Sequence, residues 1–192
     1  MATPETNRTR RFSLPDLADE RTDEAISAFL SGPERRRGRP DGGSVTMAEA
    51  GPFTDLAGRL AWNEALNRES ARSRRYQRPA AIVVIAAGST ANAAVADGWL
   101  ARVAAPIAHA VRRGVRDADL VTRTATATFQ ILLPETTELQ ATRFAERVVA
   151  DCDIWLRAMS APVHLRAAAA GTSAEETIED ALERALQAIK VA

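Results

Sequence analysis

The stretch Arg116-Asp-Ala-Asp-Leu-Val-Thr-Arg-Thr-Ala-Thr-Ala-Thr-Phe-Gln-Ile-Leu-Leu-Pro134 decides the fold. It reads as strand, turn, strand: Leu120-Val121 leads in, and Phe129-Gln-Ile-Leu-Leu133 leads out to Pro134. Upstream, Ala80-Ala-Ile-Val-Val-Ile-Ala86-Ala87 is a continuous, largely β-branched run, which predicts a strand covered on both faces. Between the two, Leu100, Val103, Ile107 and Val111 recur at helical spacing and predict a helix from about Ala94 to Arg113. Asp55 to Arg68 is a further amphipathic helix with Leu56, Leu60 and Leu66 as its apolar set. Beyond the hairpin, Thr137 to Leu156 predicts a helix through Leu139, Phe144, Val148 and Ile154, and Val163 to Ala169 predicts a strand. Ser173-Ala-Glu-Glu176 offers an N-cap with an acid three positions on, opening a last helix that runs to about Lys190. The order α, β, α, β-hairpin, α, β, α predicts an α/β domain over residues 54–192, a central, mainly antiparallel sheet flanked by helices.

These segments resemble the GGDEF family, the diguanylate cyclases of bacterial signalling. The family's hairpin runs roughly R-x-x-D-L-x-x-R-x-G-G-(D/E)-E-F-x-x-x-L-P, and Arg116, Asp119, Arg123, Phe129, Leu133 and Pro134 fall on it without a gap. Asp55 to Arg68 is similar to the family's D-x-L-T-G-L-x-N-R, and Ala185-Leu-Gln-Ala-Ile-Lys190 stands where the family reads A-L-Y-x-A-K. The resemblance spans about residues 54 to 190 and implies a fold related to the palm of nucleotidyl cyclases.

The same resemblance implies that the chemistry is gone. Joining two GTP molecules needs hard cations held by carboxylates. The family's glycine pair and both hairpin acids are replaced by Ala125, Thr126, Ala127 and Thr128. Its first-strand motif D-x-D-x-F-K corresponds to Ala86-Ala-Gly-Ser-Thr-Ala91, and its guanine-reading asparagine falls near Ala94. No catalytic residue, metal ligand or cofactor is therefore expected, and Lys190 alone remains of the phosphate contacts. A tight primed hairpin favours positive φ, which β-branched threonine resists. Thr124 to Thr128 is accordingly expected to form a more extended or longer-looped tip.

Three further readings stay open. Arg116-x-x-Asp119 matches the family's inhibitory site, which implies cyclic di-GMP as ligand; Arg112 and Arg113, one turn earlier, could add phosphate contacts. Alternatively, the pair merely closes a helix end, and the domain is a protein-interaction or scaffold module, or a homodimer, that binds no nucleotide. Thirdly, Arg37-Gly38-Arg39-Pro40 resembles a minor-groove hook, although Glu34 and Asp41 flank it with the wrong sign for DNA.

Residues 1–50 cluster Pro, Gly, Arg and acids and predict a disordered arm. One island, residues 23–30, places Ile26, Phe29 and Leu30 on one helical face as a candidate protein-docking helix. Over the 192 residues, 25 basic side chains balance 25 acidic ones, so no global field draws the chain to nucleic acid or membrane. Cys152 is the single cysteine, which excludes an internal disulfide and a Cys-rich zinc site. The polar start of the chain shows no secretory signal, and the longest apolar run is too short for a bilayer, so a cytoplasmic location is expected.

Overall fold

Strand β1 (Ala80–Ser89) organises the molecule. Its first six residues, Ala80 to Ile85, are each 0% exposed, so both faces of this strand must be covered. It pairs antiparallel with β3 (Thr128–Pro134) on one side and with β4 (Val163–Gly171) on the other. β2 (Leu120–Ala125) pairs antiparallel with the far side of β3, giving the order β2-β3-β1-β4. The four-stranded sheet is antiparallel throughout, as the hairpin and the alternation of elements predict. The computed structural model describes residues 53–89, 91–173 and 176–191. The arm, its docking island at Ile26, Phe29 and Leu30, and the Arg37-Gly38-Arg39 motif lie outside the described residues.

Side-chain alternation sends Ala81, Val83 and Ile85 of β1, with Phe129, Ile131 and Leu133 of β3, to one face. There they meet α2 (Ala93–Gly114) and α3 (Glu138–Ala158). Ala80, Ile82, Val84 and Leu132 point to the opposite face, against α1 (Arg59–Tyr76) and α4 (Ile178–Val191). The result is a helix–sheet–helix sandwich with two cores.

Three sequence expectations are corrected. Helix α1 begins at Arg59 rather than Asp55, and Leu60 is 79% exposed instead of buried. The preceding chain is held by the sheet: the Ala57 N–H donates to the Val121 carbonyl at 2.7 Å, and the Thr122 hydroxyl donates to the Ala57 carbonyl at 2.8 Å. That tether fixes the helix's start and turns Trp62, Ala65 and Leu66 inward. In α3 the apolar face is Ala141, Phe144, Ala145, Val148, Cys152, Trp155 and Leu156, while Leu139 and Ile154 point to solvent. At about 100° per residue, Ile154 lies about 200° from Leu156 and so falls outside the arc that Trp155 and Leu156 share against the sheet.

The last helix is capped by Thr177, not Ser173. The Thr177 hydroxyl accepts the Asp180 N–H at 3.2 Å, and the Asp180 carboxylate accepts the Thr177 N–H at 2.9 Å. At Ser173 only the carboxylate half forms, the Glu176 carboxylate accepting the Ser173 N–H at 3.3 Å, one turn before Ile178 begins the buried face.

Phe129→Ala removes a fully buried ring and is expected to lower stability by about 3–5 kcal/mol, whereas Leu60→Ala should stay within about 0.5 kcal/mol. Urea unfolding of the two variants checks both; a costly Leu60→Ala would contradict the orientation of α1.

Candidate functional site: the hairpin tip and the turn before it

The hairpin closes more tightly than the sequence predicts. Ala125 pairs with Thr128, leaving Thr126 and Ala127 as a two-residue turn in place of the expected longer tip. Among the described non-glycine residues, positive φ occurs at Gln77, Glu135 and Ser160, none of them in this turn. The register slips between Arg123 and Ala125, so Thr124 is a bulge residue that adds local twist. The bend that glycine would supply through positive φ is thus made on the incoming strand. The turn carbonyls are collected by Arg123, whose Nε donates to the carbonyls of Ala125 (3.2 Å) and Thr126 (3.0 Å) and whose Nη2 donates to Thr126 at 2.6 Å. The same guanidinium lies 4.1 Å from the centre of the Phe53 ring. The sequence aligned Arg123 with the family pattern but gave it no role; an arginine three residues before a turn without glycine was the available signal.

The tip is also fastened to β1. The Ala87 N–H donates to the Ala127 carbonyl at 2.9 Å, and Ala86 is the cross-strand partner of Thr128. The three positions where the family resemblance puts carboxylates, Ala86, Ala127 and Thr128, therefore meet although they are far apart in the chain. Cross-strand neighbours have Cβ atoms about 5 Å apart. Ala86 and Thr128, as cross-strand partners, contribute a methyl group and a hydroxyl, while the Ala127 methyl belongs to the apolar core. Ala127 is only 3% exposed and belongs to the apolar core beneath α2 and α3. This donor set does not fit a pair of hard cations, which take several oxygen ligands including carboxylates. Among the described residues no group of three His, Cys, Asp or Glu is arranged to hold a metal. Nearby, the His164 imidazole fills the space beside Gly88; a Cβ there would sit 2.7 Å from Nε2.

The second cluster is the turn between α2 and β2. The Asp119 carboxylate accepts the Arg116 main-chain N–H at 2.7 Å, and the Asp119 N–H donates back to the Arg116 carbonyl at 3.0 Å. Burial raises the Asp119 carboxyl above its usual pKa, opposed by that hydrogen bond and by the Arg116 charge. The aspartate thus builds the turn through the main chain, while the Arg116 side chain is exposed. Arg113 is exposed as well, and Arg112 is ion-paired with Asp55 in the segment leading to α1. Arg113, Arg116 and Asp119 remain available to a ligand at this edge; Arg112 is already engaged.

Cys152 is completely buried, and burial pushes its thiol up to about 12. It is a packing residue of the core. Lys190 is exposed in the last turn of α4. No described helix is long and apolar enough to cross a membrane.

Two outcomes follow from this geometry. Cys152 should resist thiol reagents at pH 8 in the native protein and react only on unfolding. Asp119→Asn keeps an acceptor for the Arg116 N–H, whereas Asp119→Ala loses it and should cost about 1 kcal/mol. Because the folded carboxyl is raised, its contribution is complete below the ordinary aspartate value, about 3.9, and is lost as pH rises through the folded pKa. Asp119→Asn should abolish that fall, which denaturation from pH 3 to 7 measures; an unchanged slope would contradict the assignment.

Comparison with known proteins agrees with this architecture. The family model described as "Diguanylate cyclase, GGDEF domain" matches residues 48–192. Among solved structures, the GGDEF domain of FimX from Pseudomonas aeruginosa superposes with a TM-score of 0.60 at 15% identity, covering 74% of this chain and 91% of that one. The coiled coil and GGDEF domain of DgcB from Caulobacter crescentus, in complex with c-di-GMP, gives 0.58 at 16% identity over 75% of this chain and 80% of that one. Diguanylate cyclase SiaD from Pseudomonas aeruginosa, in complex with its activator SiaC, gives 0.58 at 25% identity. That match covers 73% of this chain and 56% of SiaD, so the chain spans little more than half of that protein. No curated protein sequence matches significantly.

Proposed function

The chain belongs to the GGDEF family, and we propose that within it this domain is a regulatory module without cyclase activity that takes cyclic di-GMP at the Arg116–Asp119 turn. The observation that carries the first half is Ala127. At the place where the resemblance puts a metal carboxylate, a methyl group is packed into the core at 3% exposure. Ala86 and its cross-strand partner Thr128 supply no charge. An unpaired carboxylate forced into that core would carry a desolvation penalty of several kcal/mol, so the apolar contact and the cation site exclude each other.

The second half rests on Arg113 and Arg116 standing exposed beside a half-buried carboxylate. Only Asp119 Oδ2 receives the Arg116 N–H, and a carboxylate has capacity for further donors such as a guanine N1–H and amino group. A guanidinium can fork onto a phosphate or a guanine edge. DgcB, a similar structure, holds c-di-GMP. The competing reading, a protein-interaction domain that binds no nucleotide, draws on the commitment of Asp119 to its own turn and on the similarity to SiaD, which binds an activator protein.

Two measurements decide. Chromatography of GTP incubated with the full chain and magnesium should show no cyclic di-GMP; product formation would end the first half. Calorimetry should show cyclic di-GMP binding that Arg116→Ala weakens by roughly tenfold or more. Asp119→Asn, which keeps the turn, should weaken it too. Absence of binding at about 100 µM selects the interaction-domain reading instead.

A further inference from the structure

The two edges of the sheet differ. At the β2 edge, Ala57 bridges to Thr122 and its N–H occupies the Val121 carbonyl. At the other edge, β4 pairs with β1 along all nine residues from Val163 to Gly171, and among the described residues no strand lies on its outer side. The direction of its main-chain groups can be fixed from both ends. The Thr172 N–H donates inward to the Ala80 carbonyl at 2.8 Å, and the Pro162 carbonyl faces inward to accept the Ser89 hydroxyl at 2.6 Å. Gly171 faces outward: its N–H is taken by the Glu138 carboxylate at 2.9 Å and its carbonyl by the Arg184 guanidinium at 2.5 Å. Antiparallel alternation then turns the N–H and carbonyl of Ala169, Ala167 and Leu165 to that same outer side. Among the described residues no hydrogen bond reaches them.

We infer that this edge pairs with a second copy of the chain, β4 antiparallel to β4, about a two-fold axis at Ala167. The strand's own sequence argues for a self-partner. Centring on Ala167 sets Leu165 against Ala169 of the second copy and Arg166 against its Ala168, large side chains against small ones. The neighbouring register, centred on Arg166, would bring two guanidinium groups directly opposite and is unfavourable. The Glu138–Arg184 clasp at Gly171 stops the ladder beyond Ala169, so three residue pairs carry about six main-chain hydrogen bonds. With the β2 edge closed by Ala57, each copy has one open edge, and the pairing ends at a dimer instead of growing into a filament. The strand carries no proline or acidic residue between Val163 and Gly171 that would discourage such pairing.

Sedimentation of the full chain from about 1 to 100 µM, a span covering ordinary weak dimers, tests this. The wild type should dimerise. Ala167→Pro removes an outward N–H that β1 does not use and should give a folded monomer by circular dichroism. Ala167→Cys places the two introduced cysteines across the axis with Cα atoms about 5.5 Å apart, within disulfide range. It should cross-link under mild oxidation, whereas Ala169→Cys, facing Leu165, should not. A wild type that stays monomeric at the top concentration overturns the inference, as does a dimer that survives in folded Ala167→Pro. Should Ala167→Pro fail to fold, the cross-link decides: absence at Ala167→Cys, or equal yield at Ala169→Cys, overturns it. The outcome is independent of cyclic di-GMP, since Arg116 and Asp119 lie before β2 at the opposite edge.

Discussion

Strand β1 has six successive residues with no exposure, and that constraint orders everything around it. A strand buried on both faces needs a helix layer on each side and a paired strand at each edge. The hairpin satisfies one edge by sending Phe129, Ile131 and Leu133 into the same core as Ala81, Val83 and Ile85. Each such side chain contributes roughly 1.5–3 kcal/mol on burial. The backbone preference that a glycine pair would satisfy in the turn is nearer 1 kcal/mol per residue. Packing therefore wins, and the tip closes over two residues without positive φ, with a bulge at Thr124 absorbing the misfit.

Once the tip is held in that way, its side chains become part of the core. The Ala127 carbonyl accepts the Ala87 N–H and its methyl joins the apolar cluster, and Arg123 folds back over the exposed turn carbonyls. A charged group at Ala127 would have to be hydrated or coordinated, and either requires the tip to stand away from β1. The hairpin frame of the family is thus tied into the packing of the core. The fixed hairpin in turn fixes β2 and the turn of Arg116 and Asp119, because Leu120 and Val121 are already paired with Leu132 and Ile131.

Period and turn residues made the eight elements and their order readable, because β1, the hairpin and α2 carry runs long enough for one pattern to dominate. The candidate positions Ala86, Ala127 and Thr128 were readable too, since the family pattern aligns without a gap. Helix faces were less legible. Leu60 and Leu139 have the right residue type, but alanines at positions 65, 141 and 145 allow close approach and Trp62 and Trp155 outcompete them. Neither the tether at Ala57 nor the clasp of Glu138 and Arg184 on Gly171 has a sequence period, since each joins segments far apart in the chain. The Ser173 cap failed for a local reason: a hydroxyl followed three positions on by an acid occurs at both Ser173 and Thr177, and only the second directly precedes buried apolar positions.

The order β2-β3-β1-β4 puts the Arg116–Asp119 turn and the outer side of β4 at opposite ends of the sheet. Three interstrand steps of about 4.8 Å separate the two edges, so an occupant at one does not collide with an occupant at the other. Any influence between them must pass through β3 and β1, which are buried and tightly paired, rather than through direct contact. Close-packed interiors deform little, so a dinucleotide at the β2 edge is expected to leave β4 in place. Two-fold pairing would instead present two such turns at the far ends of one continuous eight-stranded sheet. Coupling between the turns would then come from bridging a shared partner, through effective concentration, and not from a conformational switch.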